Sequence, residues 1–161
     1  MYLAFAKNFN LNVRIARFHN IYGPLGTWNN GKEKVPAAIC RKIAEANSPG
    51  EIEIWGDGEQ TRSFLFIDDC IEATRRLMDS NFNQPINIGS DENVSINELA
   101  KIVAEISNKN ISLKHIDGPL GVRGRNSNNE LIRNTLDWDY EYTLKDGMRI
   151  TYEWINGELN K

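Results

Sequence analysis

Apolar residues recur at helical spacing in six segments of the chain. Met1, Phe5 and Phe9 lie four residues apart with no capping residue before them, which is typical of a helix already under way. Ser95-Ile96-Asn97-Glu98 has the spacing of a capping box and predicts a helix that buries Leu99, Ile102, Val103 and Ile106. Further helices are predicted from Pro36 to about residue 47, after Asp68 or Asp69, near 127–136 and over 144–155.

Alternating apolar and polar positions predict strands between these helices. The strands are expected near 12–18, over 51–55 and 62–67, at 85–89 and over 111–116. Gly56-Asp57-Gly58 separates the second and third of them and is interpreted as a tight turn between two strands. Interleaved helices and strands indicate an α/β fold, and the strands are few for so many helices, so the sheet is expected to be incomplete.

The helix after residue 67 carries two specific expectations. Asp68 or Asp69 is a residue type that caps helix N-termini, and either could begin the helix. Its inner face is predicted to be formed by Ile71, Thr74, Leu77 and Met78.

Length and composition exclude several classes of protein. The 161 residues correspond to one domain, or one domain and part of another, and 40% hydrophobic residues are enough for a core. The formal net charge of −3 gives no whole-chain argument for binding nucleic acid or an anionic membrane. Without a signal peptide or a membrane-length apolar run, a cytoplasmic protein is expected. Cys40 and Cys70 have no metal-ligand spacing and are interpreted as buried free thiols.

Candidate chemistry lies in the loops. Arg123 and Arg125 alternate with Gly121 and Gly124, so this turn could bind a phosphate or diphosphate, or could be a solvated surface turn. Lys34 could donate or accept a proton in a closed pocket, or form an exposed pair with Glu33. No G-x-G-x-x-G turn for a dinucleotide pyrophosphate is present, and His19 and His115 are expected to be structural.

Four strings of residues carry a resemblance to a known family. Residues 17–24 (RFHNIYGP), 55–64 (WGDGEQTRSF), 66–70 (FIDDC) and 87–90 (NIGS) resemble the C-terminal half of the extended short-chain dehydrogenase/reductases that modify nucleotide sugars. Within that superfamily, residues 26–38 and 118–127 resemble the GDP-mannose 3,5-epimerases.

The resemblance implies a fold and a division of the chain. The expected fold is the last strands of a Rossmann sheet with a small α/β substrate-binding domain. Residues 1–30 would end the Rossmann domain and start the substrate loop. Residues 31–161 would form the substrate-binding domain, with 63–91 returning to the Rossmann sheet.

The resemblance also implies an activity and its residues. In this family bound NAD oxidises the sugar at C4, which makes the C3 and C5 protons acidic, and Lys34 matches one of the two acid/base residues. Arg62 and Arg125 match residues suited to the diphosphate, and Phe18 and His19 would lie near the nicotinamide. The positions that match substrate contacts are Asn20, Glu33, Lys34, Val35, Lys42, Gln60, Thr61, Arg62 and Arg125.

Several family features are missing from this chain. Three motifs of the family would precede Met1: the glycine fingerprint, the acid/base cysteine and the Tyr-x-x-x-Lys pair. The isolated chain is therefore expected neither to bind NAD normally nor to catalyse the reaction. Unpaired sheet edges would favour a homodimer, or pairing with the missing N-terminal Rossmann half. Two alternatives stay open: another nucleotide-sugar enzyme, such as a UDP-glucose 4-epimerase or a dehydratase, and a non-catalytic nucleotide-sugar-binding remnant.

Overall fold

The computed structural model describes residues 1–119 and 121–161; Leu120, part of the 118–127 string, lies outside the described residues. The helices are α1 Tyr2–Phe9, α2 Val35–Glu45, α3 Ile67–Asp79, α4 Ile96–Ser107, α5 Glu130–Leu136 and α6 Leu144–Leu159. The strands are β1 Ile15–Phe18, β2 Ile21–Tyr22, β3 Gly50–Trp55, β4 Thr61–Ser63, β5 Leu65–Phe66, β6 Pro85–Ile88, β7 Asn93–Ser95, β8 Ile111–Ile116 and β9 Gly124–Arg125.

Most strand pairs are parallel, which confirms the α/β class. β1 pairs with β6, β2 with β5 and β3 with β8, all in parallel. β4 lies between β7, its antiparallel neighbour, and β9, its parallel neighbour. Parallel neighbours require crossover connections, and helices lie between the paired strands along the chain, as α3 does between β1 and β6 and α4 between β3 and β8.

The buried apolar residues form two clusters. In the first, α2 packs against α4 and α6, and Ile39, Cys40 and Ile43 of α2 are buried. In the second, α3 and α5 cover β6, and its members are Leu65, Cys70, Ala73, Leu77, Ile86, Ile88, Ile132 and Trp138. Cys40 and Cys70 are both buried and unbridged, as expected.

Local sequence signals give the start of α4 and both ends of β8 correctly. The Glu98 backbone N–H donates to Ser95 Oγ (3.1 Å) and the Ser95 N–H donates to Glu98 Oε2 (2.7 Å), so the predicted capping box is present. β8 covers the predicted 111–116, whereas β1 begins at Ile15 and is shorter than expected.

The expectations for α3 are wrong in two respects. Phe66 is the N-cap and no side chain caps the helix; Asp69 instead accepts hydrogen bonds from the backbone N–H groups of Glu141 (2.9 Å) and Tyr142 (3.2 Å). Burial raises the pKa of the Asp69 carboxyl. Leu77 is buried as predicted, but Ile71 and Met78 are 59% and 68% exposed, because the buried stripe runs through Cys70, Ala73 and Leu77.

Gly56-Asp57-Gly58 lies between two strands, as predicted, but these strands do not pair with each other. The strand before it belongs to the β3–β8 sheet and the strand after it to the β7–β4–β9 sheet. Gly58 has a φ of +69°, and an added Cβ would lie 2.0 Å from Asn97 Oδ1. The turn therefore connects two sheets and lies against the first turn of α4.

Helix α1 leaves its apolar residues uncovered by the described part of the chain. None of its residues is buried, and Phe5 stacks on Phe9 with 5.4 Å between ring centroids. No helix among the described residues is both long and apolar enough to cross a membrane.

The close contact of α6 with Tyr22 and Phe66 gives a first testable prediction. A methyl group at Gly147 would lie 2.3 Å from Tyr22 Oη and 2.8 Å from Phe66 Cδ2, whereas one at Gly157 of the same helix meets nothing within 4 Å. We expect Gly147→Ala to lower the free energy of unfolding by about 1–3 kcal/mol through overpacking. Gly157→Ala, the control, should raise it by up to about 1 kcal/mol through helix propensity.

Urea unfolding followed by circular dichroism measures both changes. If the two variants changed stability in the same direction, the close approach of α6 to Tyr22 would not be a constraint on packing.

Candidate functional site

Two arginines lie side by side on neighbouring strands. Arg62 of β4 and Arg125 of β9 are register partners in the parallel pair. Arg62 Nη1 donates to the carbonyl oxygen of Thr61 (2.6 Å), and no ion pair between described residues involves either guanidinium. Two adjacent guanidinium groups without carboxylate partners are suited to an anion, and their planar forks match phosphate oxygens.

A cavity of about 450 Å³ is lined by Arg62 of β4 and by the start of α2. Arg125 does not line it. Its lining includes five of the residues for which the sequence predicts substrate contacts, namely Glu33, Val35, Lys42, Gln60 and Arg62. Apolar side chains of α2, β3 and α4, among them Ile39, Ile54 and Ile96, form much of the remaining wall. This volume is within the range of small-molecule sites, which combine apolar walls with a few polar groups.

Glu33 and Arg41 form an ion pair at the wall of this cavity. Arg41 Nη2 donates to Glu33 Oε1 (2.8 Å), and the Glu33 side chain is only 7% exposed. Hydrogen bonds from its own backbone N–H and from Arg41 hold the pKa of the Glu33 carboxyl below its usual range. Glu33 is therefore paired with Arg41 and not with the adjacent Lys34, which the sequence left as one alternative.

Three buried polar atoms of the cavity residues have no hydrogen-bond partner in the described part of the chain: Glu33 Oε2, Arg41 Nε and Gln60 Oε1. Buried polar groups without partners are unfavourable by about 1–3 kcal/mol each, so their concentration beside one cavity is typical of a binding site.

Arg41 and Trp55 were not identified from the sequence. Trp55 of β3 lines the cavity and is 56% exposed. Glu53 lies on the same strand as Trp55, and its carbonyl oxygen accepts a hydrogen bond from Lys42 Nζ of α2 (2.6 Å). β3 alternates exposed and buried residues, and its outward positions include Glu53 and Trp55. A tryptophan at an outward position of an alternating strand was the sequence signal that could have identified this wall.

Lys34 lines a second, smaller cavity of about 280 Å³. It is the N-cap of α2 and has extended backbone (φ −79°, ψ 162°), and its neighbours Glu33 and Val35 line the larger cavity. Lys32, which the sequence analysis did not identify, lines the smaller cavity as well. The segment before α2 is therefore a wall shared by two cavities, with the lysines on one side and Glu33 on the other.

The other predicted residues lie outside both cavity linings. Asn20 Nδ2 donates to the carbonyl oxygen of Ser63 (2.8 Å) at the end of β4, and Thr61 pairs with Gly124. Phe18, which is 56% exposed, and His19 are at the carboxyl end of β1. Ligands of parallel α/β sheets bind beyond this end of the strands. His115 is 2.9 Å from Asn97 Oδ1, measured from its Nε2.

A comparison with protein families agrees with this arrangement of strands and loops. The profile of the NAD dependent epimerase/dehydratase family matches residues 1–89, more than half of the chain. The chain belongs to this family.

Individual members of the family are similar over almost the whole chain. It is 54% identical over 155 residues to GDP-mannose 3,5-epimerase of Arabidopsis thaliana, covering 96% of this chain and 41% of that protein. It is 30% identical over 155 residues to UDP-glucuronic acid decarboxylase 3 of the same plant, covering 96% and 44%. The chain thus spans about two fifths of the length of the curated relatives it matches.

Solved structures of the family confirm the fold. UDP-glucose 4-epimerase of Thermotoga maritima, solved with UDP-glucose, superposes with a TM-score of 0.90 at 27% identity, over 99% of this chain and 51% of that one. UDP-glucuronic acid 4-epimerase of Bacillus cereus, solved with UDP-glucuronic acid and NAD, superposes with a TM-score of 0.84 at 26% identity, over 97% and 49%.

The Glu33–Arg41 ion pair of this epimerase/dehydratase chain predicts that removing Glu33 changes stability by an amount that depends on pH. We expect Glu33→Gln to lower the free energy of unfolding at pH 7 by about 1–3 kcal/mol, because the ion pair is lost. A carboxyl whose folded pKa is depressed contributes stability above its unfolded pKa and loses it as pH falls through the folded pKa. Stability measured from pH 7 down to acid pH should therefore show the gap to wild type narrowing.

Glu45→Gln is the matched control. Glu45 contacts the same Arg41 guanidinium at 2.9 Å, but its side chain is 46% exposed, so its removal should change stability little. A gap for Glu33→Gln that stayed constant over the pH range would contradict the assignment of the depressed pKa to this pair.

Proposed function

We propose that this chain forms the sugar-nucleotide-binding part of an NAD-dependent epimerase that acts on GDP-mannose or a closely related nucleotide sugar. The observation that carries the proposal is that Arg62, the register partner of Arg125, lines the cavity that contains five of the nine predicted substrate residues. The 54% identity to a GDP-mannose 3,5-epimerase supports this choice of substrate.

Each part of the site receives one part of the ligand. Arg62 and Arg125 bind the diphosphate through their guanidinium N–H groups. The larger cavity takes the nucleoside, and the smaller cavity, with Lys34, faces the sugar. The remaining proposed substrate contacts are Asn20, Glu33, Val35, Lys42, Gln60 and Thr61.

Lys34 is the proposed acid/base residue on one face of the sugar ring. A ketone at C4 makes the C3 and C5 protons acidic, since each carbon is α to the carbonyl, and an ammonium/amine group can remove or return such a proton. NAD, when bound, supplies the oxidation at C4 and the later reduction. The described residues contribute Phe18 and His19, at the end of β1, to the proposed NAD site. They include no glycine-rich strand-to-helix turn for the pyrophosphate.

We also propose the division of the chain that the resemblance implied. Residues 1–30 and 63–91 are assigned to the Rossmann part, and the rest of 31–161 to the substrate-binding part. The two apolar clusters support this division in part: α5 packs with the Rossmann-side cluster, and Tyr22, Phe64 and Phe66 belong to the other cluster. The exposed apolar face of α1 is assigned to contact with an N-terminal Rossmann half or a second copy, in a cytoplasmic homodimer.

A second candidate is another nucleotide-sugar enzyme of the same family. The TM-score of 0.90 to a UDP-glucose 4-epimerase favours it, because the same scaffold there accommodates a uridine nucleotide. Titration with UDP in place of GDP separates the two candidates. A chain that binds the nucleotide but is inactive even with an N-terminal half would be a binding remnant.

Binding of GDP by this chain tests the proposal. We expect Arg62→Gln and Arg125→Gln each to weaken GDP binding in isothermal calorimetry by about tenfold to a hundredfold, because each removes a charge-assisted contact worth about 1.5–3 kcal/mol. Lys34→Met, the control, should leave GDP affinity within about twofold of wild type, since Lys34 faces the other cavity.

GDP binding should also weaken as salt increases, and less steeply in the arginine variants. No binding of GDP, or equal losses for Lys34→Met and the arginine variants, would refute the proposal.

A further inference from the structure

The Gly56-Asp57-Gly58 turn is held against the start of α4 by several hydrogen bonds. The Asn97 backbone N–H donates to the carbonyl oxygen of Gly58 (3.1 Å), and Asn97 Nδ2 donates to the Asp57 carbonyl oxygen (2.9 Å) and to Glu59 Oε1 (2.7 Å). Within the turn, Asp57 Oδ1 accepts from the Glu59 N–H (2.9 Å). The Asp57 carboxylate therefore projects from a turn whose position is fixed by α4.

This carboxylate binds an arginine of the loop that ends in β9. Arg123 Nη1 donates to both carboxylate oxygens of Asp57, at 3.0 Å and 2.7 Å. The two side chains are 66% and 51% exposed, so the pair contributes little to the free energy of unfolding. A pair that adds little stability can nevertheless select one position of a short exposed loop.

The position of Arg123 determines the position of Arg125. The Thr61 backbone N–H donates to the Arg123 carbonyl oxygen (2.9 Å), which begins the β4–β9 pairing, and the next register pairs bring Arg125 opposite Arg62. β9 has only two residues, and both are exposed. So short a strand has little apolar contact to hold it, and the Asp57–Arg123 pair is a second attachment beside the ladder.

Charge repulsion opposes this arrangement. Arg62 and Arg125 lie on neighbouring strands, and Arg123 directly precedes β9. Among the described residues, Asp57 is the carboxylate that pairs with one of these three arginines. Like charges at adjacent positions of a sheet destabilise the pairing. Neutralising Arg123 reduces that repulsion and leaves the guanidinium groups of Arg62 and Arg125 available to an anion.

We propose that Asp57 is a positioning residue for the diphosphate site: by binding Arg123 it places Arg125 beside Arg62. This inference rests on the proposed function for its ligand, but the positioning itself is a property of the ligand-free chain. It gives the aspartate of the Gly-Asp-Gly turn a role that the turn geometry alone does not require.

Asp57→Asn tests the inference, because an amide oxygen can still accept the Glu59 N–H while the negative charge is lost. In the ligand-free chain, hydrogen exchange at the Thr61 amide should become faster by about threefold to tenfold, while the unfolding temperature stays within about 2 °C of wild type. GDP affinity should fall by about threefold to tenfold. Glu105→Gln is the matched control, since it removes an exposed carboxylate that pairs with Lys145 at 2.9 Å, on the α4–α6 side of the molecule.

Arg123→Gln provides the second arm. If Arg123 acts through the Asp57 pair, Arg123→Gln and the double variant Asp57→Asn/Arg123→Gln should lose the same affinity as Asp57→Asn alone. Additive losses would mean that Arg123 binds the ligand independently, and they would overturn the inference. Unchanged Thr61 exchange in Asp57→Asn, or an equal change in Glu105→Gln, would also overturn it. If the wild-type chain does not bind GDP, the proposed function fails and Thr61 exchange alone decides the role of Asp57.

Discussion

The burial of one face of α2 between α4 and α6 is the contact on which the candidate site depends. Ile39, Cys40 and Ile43 are almost completely buried there, which fixes the axis of the helix. The extended backbone just before the helix then directs Lys34 to one side and its two neighbours to the other. The two cavities, one with lysines and one with a buried carboxylate, lie on either side of this segment, and the buried helix that follows fixes where the segment ends.

The second half of the site depends on hydrogen bonding rather than on apolar burial. β4 has three residues, yet it pairs with both β7 and β9, and a turn fixed by Asn97 precedes it. β7 continues directly into α4, the helix against which α2 packs. The arginines of the site and the wall that bears Glu33 are therefore connected through α4, which explains how such short strands can support a binding surface.

The charges of the site differ from those of the whole chain. The chain is acidic overall, with a formal charge of −3, whereas the site contains two local groups of cations: Arg62 and Arg125 on neighbouring strands, and Lys32 and Lys34 at the smaller cavity. Glu33 does not cancel them, because its charge is already paired with Arg41. An anionic ligand such as a nucleoside diphosphate fits this local excess, and the membership in the epimerase/dehydratase family supplies the chemical context.

The sequence by itself determined the features that depend on neighbouring residues. The capping box at Ser95, the strand over 111–116 and the strings that reveal the family all lie within short stretches of chain. The tertiary structure decided which groups meet. In the tertiary structure the buried stripe of α3 lies one residue away from the predicted one, and β3 and β4 belong to different sheets. Asp57 pairs with Arg123, 66 residues away. Such pairings result from the packing of distant segments, and no local pattern of residues encodes them.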